Sequence, residues 1–168
     1  MEILLDRKTV FRILKNKNKL KKALKVNIDV KKDKVDFEGE PENEFIAEEV
    51  FEAIDAGFSV NKALLLVEED YMLEKIYIRE ISRRKDLRAV RGRVIGKEGK
   101  VLKNISQLSG CFIELKNNEL FIIGESEDVE ECKTALTSLV KGSKQTNVYN
   151  YLEKNREKRK IQGDLGLK

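Results

Sequence analysis

The chain has 168 residues, 40% of them hydrophobic and 38% charged, and a formal net charge of +4. This composition can supply one large or two small hydrophobic cores, and it excludes a disordered chain. No apolar run approaches the roughly 18 residues of a membrane span. Glu2 and Asp6 also interrupt any secretory pattern at the start. We therefore expect a cytoplasmic protein that has no membrane partner.

The first part of the chain, residues 1–57, has the pattern of a small domain that closes with a helix. Residues 26–31 predict a strand. The apolar face of the closing helix consists of Phe45, Ile46, Val50, Phe51 and Ile54. Gly57 is expected to end this helix and Ser59 to cap the next one. A helical connector, residues 58–70, follows.

A second domain is predicted over residues 71–142. It opens with a strand over residues 72–81, and a short helix follows. This helix is marked by Leu87, Val90 and Val94. Two glycines, Gly96 and Gly99, then interrupt the pattern, and the next helix is expected to start at Gly99. Its apolar face consists of Val101, Leu102, Ile105 and Leu108.

The loop Gly96-Lys97-Glu98-Gly99 is the most specific motif of the sequence. Its glycines allow a nucleic-acid strand to approach the main chain, and the free N–H groups of the following helix favour phosphates. Two glycines three residues apart are weak evidence alone, because an ordinary turn between helices has the same spacing. The apolar pair Val94-Ile95 and the apolar helix after the loop favour the GxxG clamp of KH modules, which hold about four single-stranded nucleotides.

Two strands and a closing helix complete the second domain. Residues 111–116 alternate as in a half-buried strand, Asn117-Asn118 signals a turn, and residues 120–123 predict a strand that Gly124 ends. Ser126 is expected to cap the closing helix. The buried face of that helix consists of Val129, Cys132, Ala135, Leu136, Leu139 and Val140. The element order is therefore β-α-α-β-β-α, with an RNA-facing groove between the GxxG edge and the strand over residues 111–116.

The end of the chain, residues 143–168, predicts a C-terminal helix and a basic tail. The apolar start of this helix, at Val148 and Leu152, is expected to pack on a domain. Its basic end, residues 153–160, is either a solvated helix or an additional RNA contact. Residues 162–168 are expected to fray.

Basic residues are concentrated around the GxxG loop. From Arg79 to Lys103 there are ten basic residues against three acidic ones, and from Arg7 to Lys34 there are twelve against two. Residues 40–55 hold seven acids and no base. Basic faces suit polyanion binding through counterion release, whereas a solvated surface is the simpler interpretation of the acidic helix.

We predict that RNA is bound by the GxxG loop and its flanks. The predicted contacts are Arg93, Val94, Ile95, Gly96, Lys97, Glu98, Gly99, Lys100, Lys103, Ile113 and Leu115. Among these, Arg93, Lys100 and Lys103 would supply charge for phosphates. For the apolar residues the sequence leaves two roles open: lining the base groove or filling the core. A nonspecific RNA contact is also left open for Lys15, Lys17, Lys19, Arg88 and Arg91.

The first domain repeats the order of the second with an altered loop. Arg12-Ile13-Leu14 aligns with Arg93-Val94-Ile95, and Lys15-Asn16-Lys17-Asn18 replaces the GxxG sequence. Further aligned pairs are Val26 with Cys111 and Gly39 with Gly124. Because Asn tolerates left-handed conformations, the turn can survive without glycine. We expect the first domain to supply packing and nonspecific charge, and the second domain to supply most of the RNA specificity.

Several longer segments are distinctive. They are Gly57-Phe58-Ser59 with Lys62-Ala63-Leu64, residues 70–74, residues 91–100 and residues 147–153. Through them, residues 9–160 resemble the archaeal KH-domain ribosome-biogenesis family known as the dimethylase-interacting protein, or the partner of the endonuclease Nob-one. With the internal repeat, this resemblance gives an expected α+β fold of two tandem type I KH-like domains, each with a three-stranded antiparallel sheet and helices on one face.

The resemblance also implies a function in small-subunit assembly. It implies that the protein binds the single-stranded 3′ region of small-subunit (16S) rRNA and assists processing of the precursor beside the 3′-end endonuclease. It further raises contact with a translation initiation factor subunit. Members of the family often keep glycines in the first loop, so their absence here leaves RNA binding by the first domain open.

The sequence does not favour catalysis or a cofactor. It contains no histidine and no nucleophile paired with a base. Cys111 and Cys132 lack the spacing of metal ligands and are expected to be buried, reduced thiols. The enzyme alternative is magnesium-dependent RNA cleavage by the acids Glu48-Glu49 or residues 68–70. The other alternative is a protein–protein adaptor that docks the endonuclease or the initiation factor and binds RNA mainly nonspecifically.

Overall fold

The computed structural model describes residues 1–164 and residue 166. The chain divides into two compact units, Met1–Leu73 and the residues from Glu74 onward. Each unit has a three-stranded antiparallel sheet with helices, so the expected α+β fold with two KH-like units is confirmed. The finer boundaries at residues 57, 70 and 142 remain predictions.

The first unit follows the β-α-α-β-β-α order. Its elements are β1 (Glu2–Leu4), α1 (Arg7–Lys15), α2 (Lys17–Leu24), β2 (Asn27–Val30), β3 (Lys34–Glu38) and α3 (Pro41–Ala56), then the short helix α4 (Val60–Ala63) and a 3-10 turn, Leu64–Val67. The sheet order is β1-β3-β2, with antiparallel pairs. Gly57 ends α3 with a φ of 119°, and the Ser59 hydroxyl accepts a 3.2 Å hydrogen bond from the Lys62 amide. Both predicted caps are confirmed.

The second unit has the same order, with longer strands and an additional short helix after its first strand. Its elements are β4 (Tyr71–Tyr77), α5 (Ile78–Ile81), α6 (Leu87–Ile95), a 3-10 turn (Lys97–Gly99), α7 (Lys100–Ser109), β5 (Phe112–Lys116), β6 (Glu119–Glu125), α8 (Ser126–Lys141) and α9 (Gln145–Asp164). The sheet order is β4-β6-β5. On the central strand β6, residues 120–123 are all buried.

The structure corrects the predicted end of the first strand of this unit. The expected strand over residues 72–81 stops at Tyr77, and Ile78–Ile81 is a short helix. The neighbouring strand of β4 in the sheet, β6, begins at Glu119. The Ile78 amide donates a 2.9 Å hydrogen bond to the carbonyl of Asn118, in the turn before β6. Strand β4 therefore ends level with the first residue of its antiparallel partner β6.

Two further boundaries differ from the prediction. Strand β6 continues through Gly124 to Glu125, so Glu125 is the N-cap of α8 and Ser126 is its first residue. Helix α9 extends to Asp164, so the expected fraying is wrong for residues 162–164. Leu165 and residues 167–168 lie outside the described residues.

The predicted helical core of the second unit is confirmed. All six residues expected on the inner face of α8 are buried. Helix α9 packs on α7 and α8 through Val148 and Leu152, as expected for its apolar start. On its basic part, the Arg159 guanidinium pairs with the carboxylates of Asp128 and Glu131. Burial, followed by the charge of Glu127, raises the pKa of Glu131.

The internal repeat is visible in packing as well as in order. A Cβ atom at Gly39 would lie 2.9 Å from Cγ1 of Val26, and one at Gly124 would lie 2.7 Å from Sγ of Cys111. The aligned glycines therefore make equivalent close contacts with aligned partners, and any side chain there would displace the start of the neighbouring strand. No helix in the described part of the chain is long and apolar enough to cross a membrane.

Candidate nucleic-acid interface

The GxxG loop has a backbone that favours glycine at both ends. Gly96 has φ 77° and ψ 175°, a region almost closed to other residues. Glu98 and Gly99 are left-handed, with φ of 58° and 74°. The Gly99 amide donates 3.2 Å to the Gly96 carbonyl, which closes the turn. Helix α7 starts at Lys100, and its N-cap Gly99 has no side chain to accept from its first amides, which leaves them available to a ligand at the loop.

Gly96 is also required for packing. A Cβ atom there would lie 2.2 Å from Cγ2 of Val101 and 3.0 Å from the Val101 amide nitrogen. Val101 is 4% exposed and belongs to the core. The loop is thus pressed against the first turn of α7, which fixes its conformation before any ligand binds.

The predicted apolar residues divide between core and surface. Val94 is fully buried, whereas Ile95 is 37% exposed beside the loop. Ile113 and Leu115 are half-buried on the edge strand β5, opposite Ile122 and Leu120 in the sheet register. Val94 therefore fills the core, Ile95 leaves apolar surface next to the GxxG turn, and Ile113 and Leu115 leave apolar surface on the edge strand.

Helix α6 has an exposed stripe that the GxxG motif does not include. Arg88, Ala89, Gly92 and Ile95 are all exposed and share one helix face by their spacing. Among the described residues, no atom outside the backbone of α6 and the two chain neighbours lies within 4 Å of a Cβ position at Gly92. The small residues Ala89 and Gly92, spaced to share a helix face with Ile95, are the sequence signal that could have revealed this exposed face.

The basic side chains predicted to bind RNA differ in their exposure and in their hydrogen-bond partners. Lys97, Lys100 and Lys103 are exposed around the loop. Arg91 is half-buried and donates 2.9 Å to Oδ1 of Asn118. Arg93 points away from solvent toward α8: its Nη2 donates 3.1 Å to the Leu139 carbonyl and 2.9 Å to that of Ser143. The structure therefore gives Arg93 a role in holding the C-terminus of α8, where phosphate binding was predicted.

The comparison with protein families addresses this same segment. The family model for the second KH domain of PNO1-type proteins, described as a eukaryotic type KH domain (KH domain type I), matches residues 72–157. This match covers slightly more than half of the chain. The chain belongs to the PNO1-type KH family.

Curated relatives agree with this assignment. A KH domain-containing protein of Methanocaldococcus jannaschii is 38% identical over 113 residues, which are 67% of this chain and 50% of the relative. The RNA-binding protein pno1 of Ixodes scapularis is 31% identical over 100 residues, 58% of this chain and 43% of the relative. The chain spans about half the length of the curated relatives it matches.

Solved structures share the whole two-unit fold. Dim2p from Pyrococcus horikoshii has a TM-score of 0.82 at 27% identity, covering 92% of this chain and 98% of that one. The chain matched in an a/eIF2alpha–aDim2p–rRNA complex of the same organism has a TM-score of 0.82 at 27% identity, covering 94% of each chain. A protein of unknown function from Aeropyrum pernix has a TM-score of 0.85 at 25% identity, covering 99% and 95%.

The first KH-like unit repeats the arginine anchor of the PNO1-type domain. Arg12 donates 3.0 Å to the Ile54 carbonyl and 2.7 Å to that of Phe58, on either side of the helix-ending Gly57. Arg93 has the same relation to Gly142, which ends α8. In both units the guanidinium satisfies carbonyls at a helix C-terminus, so the aligned arginines are structural.

We predict that Arg93→Ala destabilises the second unit without weakening RNA binding by the folded protein. Losing two charge-assisted hydrogen bonds is expected to lower the free energy of unfolding by about 1–3 kcal/mol. Denaturant unfolding of the full chain, with RNA affinity measured well below the transition, separates the two effects. Arg88→Ala, an exposed change on the same helix, is the control: its stability should change by less than about 0.5 kcal/mol. A stable Arg93→Ala protein with reduced affinity would contradict the structural role.

The altered loop of the first unit keeps a tight turn without left-handed residues. Helix α1 ends at Lys15 and α2 begins at Lys17, and Asn16 between them has φ −111° and ψ 15°. The Asn16 side-chain amide donates 2.8 Å to the Arg12 carbonyl. The turn survives as expected, but through this hydrogen bond. A surface cavity of about 430 Å³ lies over it, lined by residues 14–19, and the Lys19 ammonium donates to Oδ1 of Asn61.

The cysteines lie in the core of the second unit. Cys111 is 1% exposed and Cys132 is fully buried, and both are free thiols, as expected. The hydrogen bond with Cys111 and burial raise the pKa of the Cys132 thiol, so it remains protonated. No group of three or more potential metal-ligating side chains lies close together among the described residues.

Proposed function

We propose that this protein binds the single-stranded 3′ region of small-subunit (16S) rRNA through its second KH domain. In this proposal it assists processing of the precursor rRNA and assembly of the small subunit, and it catalyses no reaction itself. Family membership supports RNA binding, and one relative of similar fold was solved in a complex with rRNA.

The observation that carries the proposal is the preformed GxxG loop. Gly96 and Gly99 place main-chain atoms at the surface, and the uncapped N-terminus of α7 follows directly. Backbone amides at a helix N-terminus suit a phosphate, and the absence of Cβ atoms allows a close approach. A strand held there would have its bases over the apolar surface of Ile95, Ile113 and Leu115.

The proposed roles follow the exposure of each residue. Lys97, Lys100 and Lys103 neutralise phosphates, Glu98 shapes the left-handed turn, and Gly92 and Ala89 leave room for bases along α6. Arg88 adds charge at the far end of the same stripe. Val94, Arg91 and Arg93 act inside the domain, because their side chains are buried or hydrogen-bonded to protein atoms.

We further propose a cytoplasmic protein that works beside the endonuclease of 3′-end processing and contacts a translation initiation factor subunit. Support for the second partner comes from the matched Pyrococcus complex, which contains a/eIF2alpha together with rRNA. The endonuclease follows from the family resemblance of the sequence. Pull-down with each purified partner tests these contacts separately from RNA.

The deciding experiment compares two short RNAs of equal length. One matches the 3′ end of small-subunit rRNA and the other is a scrambled sequence, and affinity is measured at two salt concentrations. We expect the cognate RNA to bind at least about tenfold more tightly, because each mismatched base typically lowers the binding free energy by about 1–3 kcal/mol. Equal affinities with a steep salt dependence would show that charge alone is recognised, and would favour the adaptor function.

A further inference from the structure

Helix α1 of the first unit carries an exposed stripe that differs from its counterpart on α6. Phe11 and Leu14 are 55% and 52% exposed. Because Arg12 and Arg93 make equivalent anchors, Leu14 corresponds to Ile95 and Phe11 to Gly92. The first unit therefore has an aromatic ring where the second has an open glycine.

The surroundings of this ring are basic. The Lys15 ammonium lies 4.8 Å from the centroid of the Phe11 ring. Arg7 and Lys8 are exposed on the same helix, and no acidic residue occurs from Arg7 to Leu24. The cavity over residues 14–19 lies at the end of the stripe. The combination sets Phe11 apart from Phe45, which is also exposed but lies on an acidic helix: a half-exposed ring among basic side chains, on a helix without acidic residues, suits a nucleic-acid ligand.

The chemistry of the stripe favours single-stranded RNA over a protein segment. A surface that binds single-stranded RNA combines two features: basic side chains that contact successive phosphates, and an aromatic ring on which a base can stack. Every base has a π-face, so the stacking does not depend on sequence. Such a platform needs no GxxG loop, since the phosphates are held by side chains. A peptide would need acidic residues to match the lysines and would use Leu14 as much as Phe11.

We propose that Phe11 stacks on a base of single-stranded RNA while Lys15 and Lys17 hold the neighbouring phosphates. This inference rests on the proposed function, because it takes RNA as the ligand. It gives the first KH-like unit its own RNA contact, made by a ring in place of the missing glycine clamp. The contact would be tolerant of sequence, which fits a unit that adds affinity more than specificity.

A tryptophan reporter tests the stacking directly. The chain contains no Trp, so Phe11→Trp introduces a single fluorophore at an exposed position. We expect its emission to be quenched when an oligouridylate of about 20 nucleotides is added in excess. The matched control is Phe45→Trp. Phe45 is 62% exposed in the same unit, but it lies on the acidic helix α3, and the emission of this control variant should not respond.

Affinity measurements on two further variants separate stacking from simple apolarity. Phe11→Tyr should keep the affinity for oligouridylate, whereas Phe11→Leu should lower it about fivefold or more, since a stacked base contributes at least that factor. Equal affinities for the Leu variant and the wild type would overturn the proposal.

The remaining outcomes distinguish this inference from the proposed function. If the wild type binds oligouridylate and the emission of the Phe11→Trp variant is unchanged, the stacking site is wrong and the second-domain function stands. If the wild type binds no RNA at all, both are wrong. If the emission of that variant responds to a peptide of alternating Glu and Leu and not to RNA, the stripe docks protein and the proposal is overturned.

Discussion

Replacing both Lys97 and Glu98 with Asp lowers the affinity for the cognate single-stranded RNA at least about tenfold, the loss expected when one charge-assisted contact is removed. Lys97 is exposed at the tip of the loop, and a carboxylate in its place repels the phosphate that the loop amides should accept. Glu98 has φ 58° and ψ 27°. Asp tolerates this left-handed conformation well, so the loop should keep its shape.

The measurement is an anisotropy titration at fixed salt, with circular dichroism to show that the variant is folded. Lys32→Asp is the matched control, because it makes the same charge change at an exposed position in the turn between β2 and β3. If both variants lose affinity equally, net charge is responsible and the loop has no special role. If neither loses affinity, the GxxG loop is not the RNA contact.

The second large effect is on stability. Gly96→Ala is expected to lower the free energy of unfolding by about 2–5 kcal/mol, the sum of backbone strain and overpacking. Strain arises because φ 77° with ψ 175° is nearly closed to residues with a Cβ atom. Overpacking arises because the new Cβ would lie 2.2 Å from Cγ2 of the buried Val101. Denaturant unfolding of the full chain measures the loss.

Two neighbouring glycines separate these two contributions. Gly99→Ala has the strain of φ 74°, but no described atom beyond its chain neighbours lies within 4 Å of the new Cβ, so its loss should be about 1–2 kcal/mol. Gly92→Ala lies within α6 and has neither problem, so stability should rise by about 0.5–1 kcal/mol. Equal losses at Gly96 and Gly99 would mean that Val101 moves aside without cost.

Much of the fold was accessible to sequence reasoning because it depends on local periodicity. The face of α8, the caps at Gly57 and Ser59, and the repeat that pairs Gly39 with Gly124 all follow from residue spacing. The turn at Gly96 and Gly99 also follows from the sequence, since its backbone angles favour glycine.

The interface was only partly predictable. The sequence named the cations around the loop, yet it could not separate Lys97, which is exposed, from Arg93, which is hydrogen-bonded to carbonyls near the end of α8. It likewise left Val94 and Ile95 undivided, although one is fully buried and the other is 37% exposed. Both distinctions depend on partners that are remote along the chain.

The sequence by itself therefore determined the order of elements, the internal repeat and the position of the loop, because apolar spacing and glycine dihedrals are properties of short segments. Only the tertiary structure decided where β4 ends, what Arg12 and Arg93 hold, and that Phe11 remains exposed. Each of these depends on groups far away in sequence. Strand β4 ends where its partner strand begins, the two arginines bind carbonyls at the end of a closing helix, and no element among the described residues covers the Phe11 ring. Side-chain roles at the interface are set by those distant contacts.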